Sequence, residues 1–327
     1  MLLLKRADIE SIYTMKDAIK AVKRSYSLAS AGKAVVPLRT SLINKEADGT
    51  FLFMPAYAAE TGKDSLKVVS VFPRNKDKGL PVTQGVILLM DGENGGYLAM
   101  LDGTYITALR TGAAAGAAFD LLARPDAAVG ALIGTGGQAE AQLAAMLCGR
   151  NLKEVRLYSR NREKRENFAA VMAKRFAQAG TRIVAAASAD EAVAGADLIS
   201  AATTAASPVI RGEVVKEGAV VCSIGSYRPD MIELDGDVLK RAAAVYVDSK
   251  EAVLAEAGDL IQPIEAGEFS AENITGELGD VINKDLHPRR SGKDIIVFKS
   301  VGIGIQDLVT AADIYEKART AEVGTKW

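Results

Sequence analysis

The stretch Val129-Gly-Ala-Leu-Ile-Gly-Thr-Gly-Gly-Gln-Ala-Glu-Ala-Gln-Leu-Ala-Ala-Met-Leu147 carries the strongest signal in this chain. It begins with a short apolar run of strand length, turns through three glycines, and continues as alanine-rich, helix-forming sequence that ends at Gly149. A strand, a tight turn and a helix in this order form a phosphate cradle. Glycine lets the backbone approach an anion, and the helix N-terminus offers unpaired N–H groups.

The turn has the dinucleotide pattern Gly-x-Gly-x-x-Ala in the strand-and-helix context that the pattern requires. A second apolar strand, Val155 to Tyr158, follows after a short loop. A tight turn that holds no ligand is the alternative interpretation. The residues expected to bind the dinucleotide here are Gly134, Thr135, Gly136, Gly137, Gln138 and Ala139.

The end of the second strand bears on which nucleotide binds. An NAD site usually places Asp or Glu there to bind the ribose hydroxyls, and neither occurs at 158–162. Ser159, Arg160 and Arg162 can instead bind a 2′-phosphate by charge-assisted hydrogen bonds. We therefore predict NADP(H) in preference to NAD(H), with Ser159, Arg160 and Asn161 lining the cofactor. The alternative is that both arginines belong only to the solvated first turn of a helix.

Composition limits the class of protein. The 327 residues predict two domains or one elaborated domain, and 40 basic against 41 acidic residues give no reason to expect nucleic acid or a membrane as partner. No apolar run approaches the length of a membrane span, and the N-terminus lacks a signal-peptide layout. Cys148 and Cys222 are predicted to be buried thiols that form neither a disulfide framework nor a metal site. We expect a cytoplasmic protein.

The first half of the chain predicts helix, then sheet, then helix. Residues 1–32 predict helix, with Thr14 capping a second segment and Gly32 ending it. From 35 to 101, apolar runs alternate with Asp-Gly, Lys-Gly and Gly-Gly turns, which predicts an antiparallel sheet. The expected strands are 50–54, 65–71, 85–90 and 97–101, followed by a helix over 106–123.

Strands and helices alternate from 128 to about 300, which predicts a parallel sheet covered on both faces. A last helix, running to Ala321, comes too late to extend that sheet, and we expect it to pack on the N-terminal domain. The predicted strands of the parallel sheet are 128–133, 155–159, 182–187, 196–202, 219–224, 244–248 and 294–299. The predicted helices include 138–148, 161–179, 189–194 and 250–257.

Three basic residues stand in otherwise apolar or turn-flanked segments: Arg39, Lys67 and Arg110. A lysine between Leu66 and Val68 can point into a half-buried site, where desolvation lowers its pKa toward the range of proton transfer. Arginines bind carboxylates through paired hydrogen bonds, so the three would suit a small α-carboxylate substrate. For each residue alone, a solvated strand face is the alternative. The single histidine, His287, lies in a polar loop and is not expected to be a catalytic base.

Motifs along nearly the whole chain resemble the ornithine cyclodeaminase/mu-crystallin family. They are Arg39, Leu66-Lys67-Val68, Phe72-Pro73-x-Asn75, Gly79-Leu80-Pro81, Asp102-Gly103 with Thr107-Ala108-x-Arg110-Thr111, the glycine turn, Arg228-Pro229-Asp230 with Glu233-Leu234-Asp235, Glu256-Ala257-Gly258-Asp259, and Phe298-Lys299-Ser300-Val301-Gly302. The resemblance implies an α/β fold in which a Rossmann-type, doubly wound parallel sheet domain (124–300) is inserted in an α+β substrate-binding domain (1–123 plus 301–327). It also implies a nicotinamide cofactor and homodimers formed through the substrate-binding domain.

The resemblance implies roles for single residues. Arg39, Lys67 and Arg110 would hold the substrate carboxylate, with Lys67 as proton donor or acceptor. Arg110 and Thr111 would also approach the cofactor phosphates. Further residues expected to line the cofactor are Thr83, Ser159, Arg160, Thr203 and Ser300.

The family contains several chemistries, and one position separates them. Cyclodeaminases carry an Asp two residues before the proline that is Pro229 here, and this chain has Tyr227 in that place. The departure favours the reductase branch, in which NADPH reduces an α-imino acid to an L-amino acid or the reverse. Asp230 is offset in register and is expected to be a turn or helix-start residue. A cyclodeaminase-type ammonia-lyase with bound NAD(H), and a non-catalytic mu-crystallin-like binder of a small carboxylate, are the alternatives.

Overall fold

A computed structural model describes all residues 1–327. In chain order its elements are β1 (Leu2–Leu4), α1 (Arg6–Ile12), α2 (Met15–Ser30), β2 (Thr40–Asn44), β3 (Gly49–Ala58), β4 (Lys63–Val71), β5 (Thr83–Asp91), β6 (Tyr97–Asp102), α3 (Gly103–Leu122), β7 (Val129–Ile133), α4 (Ala139–Gly149), β8 (Glu154–Tyr158), α5 (Arg162–Arg175), β9 (Arg182–Ala185), α6 (Ala189–Val193), β10 (Leu198–Ala201), β11 (Ala206–Ile210), β12 (Val220–Ser223), β13 (Ile232–Leu234), α7 (Gly236–Arg241), β14 (Ala242–Val247), α8 (Lys250–Glu256), α9 (Gly258–Glu265), β15 (Gly276–Glu277), α10 (Leu278–Asn283), β16 (Ile295–Lys299), α11 (Gly304–Ala321) and β17 (Thr325–Lys326).

The chain divides into two compact units. Unit 1 comprises Met1–Arg110 and Ile303–Trp327, and unit 2 comprises Thr111–Gly302. The first division falls inside α3, whereas the sequence placed its boundary after that helix, between 123 and 124. The predicted and observed boundaries differ because α3 is one uninterrupted helix. Its sequence contains no turn signal at residue 110, so a boundary there could not be predicted.

Unit 1 is built on a seven-stranded sheet of order β17-β1-β6-β5-β4-β3-β2. The predicted strands between 50 and 101 are present, and β3, β4, β5 and β6 pair antiparallel with one another in chain order. Helix α11 packs on α2 and on strands β3 and β4, so the predicted return of the last helix to the N-terminal part of the chain is confirmed.

The helix predicted over residues 1–32 is wrong at its start. Leu2–Leu4 form a strand that pairs parallel with β6 and antiparallel with β17. Its partners lie far away in sequence, and three leucines cannot by themselves distinguish a strand from a helix. The second helical segment is as predicted, since Thr14 and Asp17 form a reciprocal capping box at the start of α2.

Unit 2 contains an eight-stranded, all-parallel sheet of order β15-β14-β16-β12-β10-β7-β8-β9. Strands β9-β8-β7-β10-β12-β16 have the Rossmann order 3-2-1-4-5-6, extended by β14 and β15. The predicted fold class is confirmed. The strand order reverses between β7 and β10, and ligands of such sheets bind outside the carboxyl ends of the strands at this switch point.

Two features of unit 2 differ from the sequence predictions. A small parallel sheet of β11 and β13 was not predicted, because each strand has at most five residues and no clear alternation. Cys222 is buried in β12, but Cys148 is exposed in the last turn of α4, so its predicted burial is wrong. Alanine-rich helices bury a face that composition alone does not reveal.

None of the helices combines the length and apolar character that a membrane span needs.

Candidate active site and nucleotide-binding turn

Lys67 occupies a core position of unit 1. In β4, Ser65, Lys67 and Val69 alternate inward, and the lysine side chain has no solvent exposure. Lys67 lies opposite Met54 on β3 and Ile87 on β5, both of which are buried. Because lysine is almost never fully buried without a partner, this position calls for an acid nearby.

That acid is Asp307 in the first turn of α11. Its Oδ2 lies 2.6 Å from Lys67 Nζ, and its Oδ1 accepts a hydrogen bond of 3.2 Å from Arg110 Nε. Arg110 also donates to Gln306 Oε1 at 3.3 Å, and Gln306 Nε2 donates to Tyr26 OH at 3.0 Å. A lysine from the sheet and an arginine from α3 thus share one buried carboxylate.

The environment of Lys67 shifts its titration. Burial is the largest cause, and the adjacent Arg110 charge adds to it, so that the pKa of Lys67 falls from 10.5 to about 7 even though Asp307 opposes the shift. The positive charge of Arg39 also lowers this pKa. A lysine that exchanges its proton near neutrality suits general acid–base work.

The structure brings together the basic residues that the sequence singled out in unit 1. Lys67 and Arg110 meet at Asp307, and Arg39 is near enough to act on Lys67 by its charge. Thr83, also expected at the site, is half-buried at the start of β5 opposite Val71. The sequence prediction missed Asp307 and Gln306. The available signal was an adjacent polar pair within the otherwise apolar first two turns of α11, which also fits an ordinary acidic first turn.

The glycine turn of unit 2 lies between β7 and α4, at the switch point. Gly134 has a φ of +110°, and a Cβ there would lie 2.6 Å from the carbonyl oxygen of Ala202. Only glycine fits such a position. Gly136 and Gly137 differ, since a Cβ on either would meet nothing within 4 Å. These two glycines leave open space directly before the N-terminus of α4, where Gln138 and Ala139 begin the helix.

The end of β8 is held close to the glycine turn. Gly134 N donates to Tyr158 O at 2.8 Å, and Thr135 Oγ1 donates to Ser159 Oγ at 2.9 Å. Asn161 accepts from Lys164 N at 2.8 Å and so caps α5. Arg160 is exposed at the end of the strand.

Arg162 is bound to Glu166 one turn further along α5, with a distance of 2.7 Å between Nε and Oε1. Its side chain is 79% exposed. Of the two interpretations offered for this arginine, a 2′-phosphate ligand or a solvated first turn of the helix, the structure agrees with the second.

Of the remaining predicted cofactor residues of unit 2, Thr111 lies within α3, whereas Thr203 and Ser300 follow strands. Thr111 O accepts from the buried amide of Gln142 at 3.1 Å. Thr203 follows β10, with its Cγ2 3.2 Å from a Cβ placed on Gly134. Ser300 follows β16, and its hydroxyl donates to the buried carboxylate of Asp248 at 2.7 Å. Gly134 and Thr203 are therefore neighbours, whereas the Ser300 hydroxyl is engaged in structural bonding.

A dinucleotide phosphate fits the glycine turn of unit 2. The open space at Gly136 and Gly137 and the N-terminus of α4 form the kind of cradle that binds pyrophosphate. The acidic residue in the first turn of α4, Glu140, is paired with Arg175 at 2.8 Å.

A family model for the ornithine cyclodeaminase/mu-crystallin family matches residues 1–322. The chain belongs to this family. Among similar proteins, a Δ1-pyrroline-2-carboxylate reductase of Bacillus cereus is 37% identical over 326 residues, which cover 100% of this chain and 99% of the relative.

Solved structures of other family members have the same fold. A Thermococcus litoralis Δ1-pyrroline-2-carboxylate reductase in complex with NADH and L-proline is 40% identical, with a TM-score of 0.95 and all of both chains covered. An archaeal alanine dehydrogenase dimer with bound NAD is 34% identical, with a TM-score of 0.91 over 100% of this chain and 98% of that one.

In this family member, the segment around Tyr227 contains no carboxylate at the cyclodeaminase position. The nearest acid that follows, Asp230, lies in a turn and is bound by Arg228 through two hydrogen bonds of 2.6 and 2.9 Å. The arginine lowers the pKa of Asp230. Asp230 is thus an ion-paired turn residue, as its register suggested.

Proposed function

We propose that this chain is an NAD(P)(H)-dependent oxidoreductase that interconverts an α-imino acid and the corresponding L-amino acid. The pyrroline-carboxylate reductases and the alanine dehydrogenase among its relatives support this class of reaction. A cyclic imino acid such as Δ1-pyrroline-2-carboxylate is the proposed substrate, because two of the similar proteins named above are reductases of that compound.

The observation that carries the proposal is the buried lysine. Lys67 has no solvent exposure, contacts a single carboxylate, and has its pKa lowered to about 7. A lysine exposed to solvent, with a pKa near its usual value, keeps its charge at all physiological pH values. At a pKa near neutrality, the ammonium can protonate the nitrogen of a bound imine, and the neutral amine can take that proton back.

The charges around Lys67 favour an anionic substrate. Arg39, Lys67 and Arg110 supply three positive charges when the lysine is protonated, and Asp307 supplies one negative charge. A substrate carboxylate would reduce this excess, and arginine binds carboxylates with fixed orientation. We propose that Arg39 and Arg110 hold the carboxylate so that the imine nitrogen faces Lys67. Such orientation supplies a large part of the rate in reactions of this kind.

The glycine turn, Thr203 and Ser159 would hold the nicotinamide cofactor, which supplies or accepts the hydride when bound. We propose that NADP(H) binds more tightly than NAD(H), because Arg160 is exposed beside Ser159 and residues 158–162, at the end of β8, contain no acidic side chain. The two solved relatives named above contain NADH and NAD, so the proposed preference rests on the residues of the present chain.

We propose that the protein is a homodimer formed through unit 1. The alanine dehydrogenase relative is a dimer. The edge strand β2 of unit 1 exposes Leu42 and Ile43, and exposed apolar edge strands are characteristic of association surfaces. Light scattering after size-exclusion chromatography should give twice the chain mass of 34.4 kDa.

Steady-state turnover tests the proposed reaction. NADPH and NADH oxidation should be followed with Δ1-pyrroline-2-carboxylate, with pyruvate plus ammonia, and with glyoxylate plus an amine. We expect turnover with at least one imine and a matching amino-acid oxidation in reverse. Ammonia release from ornithine without net change in the cofactor would indicate a cyclodeaminase. Binding without turnover across the whole panel would indicate a carboxylate-binding protein.

A further inference from the structure

A single buried carboxylate joins two loops at the ligand-binding edge of the parallel sheet. Glu233, in β13, has no solvent exposure. Its Oε2 accepts hydrogen bonds from the backbone N–H groups of Ile224 at 3.1 Å, Gly225 at 2.7 Å and Ser226 at 3.3 Å. Its Oε1 accepts from Thr203 N at 2.6 Å. The loop after β10 and the loop after β12 are therefore held to the same side chain.

The backbones of these two loops are in direct contact at Gly225 and Thr203. A Cβ on Gly225 would lie 2.1 Å from the carbonyl oxygen of Thr203, so no other residue fits there. On its other side, the Thr203 loop touches the glycine turn, since a Cβ on Gly134 would lie 2.6 Å from Ala202 O. The loops that follow β7, β10 and β12 are thus in contact along one edge of the sheet. Glu233 binds two of them, the loops after β10 and β12.

Glu233 is itself held in place by a second buried acid. Asp259 Oδ1 accepts from the backbone N–H groups of Glu233 at 2.5 Å and Leu234 at 2.9 Å, and its Oδ2 lies 2.8 Å from Lys299 Nζ. The Ser223 hydroxyl lies between the two acids, 2.9 Å from Glu233 Oε2 and 2.6 Å from Asp259 Oδ2. Burial would raise the pKa of Asp259, but Lys299 holds it below its usual value.

Such a cluster is a poor device for stability alone. Removing charges from water costs about as much as their attraction returns, and a packed apolar cluster often replaces them without loss. The cluster instead fixes geometry, because both oxygens of Glu233 and Oδ1 of Asp259 accept hydrogen bonds from backbone N–H groups in fixed directions. Its location is therefore informative: Glu233 contacts the carboxyl ends of β10 and β12, where the second half of a Rossmann sheet meets its ligand.

We propose that Glu233 is a positioning residue for the nicotinamide half of the bound dinucleotide. It would set the spacing of the loops that carry Thr203 and Tyr227, while the adenosine half is bound by the glycine turn and the end of β8. The glycine turn and the end of β8 are held together by their own hydrogen bonds, from Gly134 N to Tyr158 O and from Thr135 to Ser159. The proposal rests on the dinucleotide-dependent function proposed above.

The test compares two ligands on one variant. Glu233→Gln keeps the size of the side chain but turns one acceptor oxygen into an NH2 group, which faces N–H donors and cannot accept from them. NADH and ADP-ribose, which lacks the nicotinamide, should be titrated by fluorescence or calorimetry. We expect the NADH dissociation constant to rise at least tenfold and that of ADP-ribose to change less than twofold. The kcat for imine reduction should fall, while the KM for the imino acid stays within threefold.

Asp197→Asn is the matched control. Asp197 is a mostly buried carboxylate at the opposite, amino ends of the same strands, where it accepts from Ala128 N and Val129 N at 2.9 and 3.0 Å. This variant should lower the thermal midpoint without changing the affinity of either ligand by more than twofold. A variant with only a structural defect would therefore resemble the control and not Glu233→Gln.

Ser223→Ala is the second test of the positioning role of Glu233, for the case that Glu233→Gln does not fold. This substitution removes one hydrogen-bond donor from the cluster and keeps every charge. We therefore expect the NADH dissociation constant to rise about threefold, with that of ADP-ribose again nearly unchanged. Equal weakening of NADH and ADP-ribose, or no weakening of NADH, in the folded variant would overturn the proposal. Failure of the wild-type protein to bind NADH or NADPH would instead overturn the proposed function, whatever the variants do.

Discussion

Asp307 Oδ2 lies 2.6 Å from Lys67 Nζ, and neither side chain has any solvent exposure. The aspartate comes from the last helix of the chain and the lysine from a central strand of the first sheet, so 240 positions separate them along the sequence. Arg110 approaches the other oxygen of the same carboxylate. This arrangement keeps a lysine in the core with a pKa of about 7, and several predictions can be tested on it.

Replacing Lys67 by methionine should remove proton transfer and leave cofactor binding intact. General acid–base groups typically contribute about 10²–10⁴-fold to the rate, so kcat for imine reduction should fall by that factor. The NADPH dissociation constant should remain within twofold, because the cofactor residues proposed above lie mainly in unit 2. Lys67→Arg serves as the control for charge, since it keeps a cation that cannot release its proton. Turnover near the wild-type rate in Lys67→Met would exclude the lysine from the mechanism.

The two directions of the reaction should depend on pH in opposite ways. Below a pH of about 7 Lys67 carries its proton, and above that value it is mainly neutral. Reduction needs the protonated lysine, so its kcat/KM should decrease as pH rises through about 7. Oxidation of the amino acid needs the neutral lysine as base, so its kcat/KM should increase over the same range. Profiles from pH 5 to 10 with saturating cofactor test this; a limb near 10 in both directions would contradict a lowered lysine pKa.

Asp307→Asn should move the change in kcat/KM that Lys67 causes near pH 7 to lower pH. The carboxylate is the main influence that raises the pKa of Lys67, and without it burial and Arg110 act unopposed. Breaking a buried ion pair leaves uncompensated charge, which typically costs about 3–5 kcal/mol of folding free energy. Asp313→Asn, on the same helix, is the matched control, because Asp313 is a partly exposed partner of Arg24. It should cost about 1 kcal/mol or less and leave the pH profile unchanged.

How much of this the sequence could predict depends on the distance over which each contact acts. The glycine turn, the alternating strands and helices of unit 2, and the hairpins of unit 1 follow from local patterns, and all are present. Arg39, Lys67 and Arg110 could be singled out because a basic residue within an apolar segment is itself a local signal. Leu2–Leu4 could not be assigned to a strand, because its pairing with β6 and β17 is non-local.

The acids of the site were harder to predict than its bases. Asp307 stands in the first turn of a helix, where an acid is common for reasons of the helix dipole alone. Glu233 and Asp259 belong to motifs that identify the family, but only the folded chain shows that they are buried against each other and against Lys299. Their function depends on which backbone groups surround them, and this information is tertiary.

Arg160 should determine the preference between the two cofactors. A charge-assisted hydrogen bond to a 2′-phosphate contributes about 1.5–3 kcal/mol, so Arg160→Ala should weaken NADPH binding by tenfold or more. NADH binding should change less than twofold, because NADH has no phosphate at that position. Arg162→Ala is the control, since its side chain is exposed and bound to Glu166, and it should leave both affinities nearly unchanged. Wild-type protein that binds NADH more tightly than NADPH would refute the assignment.

Two glycines of the same turn should respond in different ways to alanine. Gly134 has a φ of +110° and lies against the Ala202 carbonyl, so Gly134→Ala should destabilise the folded protein by at least about 1–3 kcal/mol through backbone strain, with the steric clash in addition. Gly136 has a negative φ and open space around the position of a Cβ, so Gly136→Ala should fold with an unchanged thermal midpoint. The added methyl group would occupy the space that a pyrophosphate needs, and NADH and NADPH affinity should therefore fall together by tenfold or more. Thermal unfolding and cofactor titration of the two variants test this directly. If Gly136→Ala binds both cofactors as the wild-type protein does, the open space before α4 is not the phosphate site.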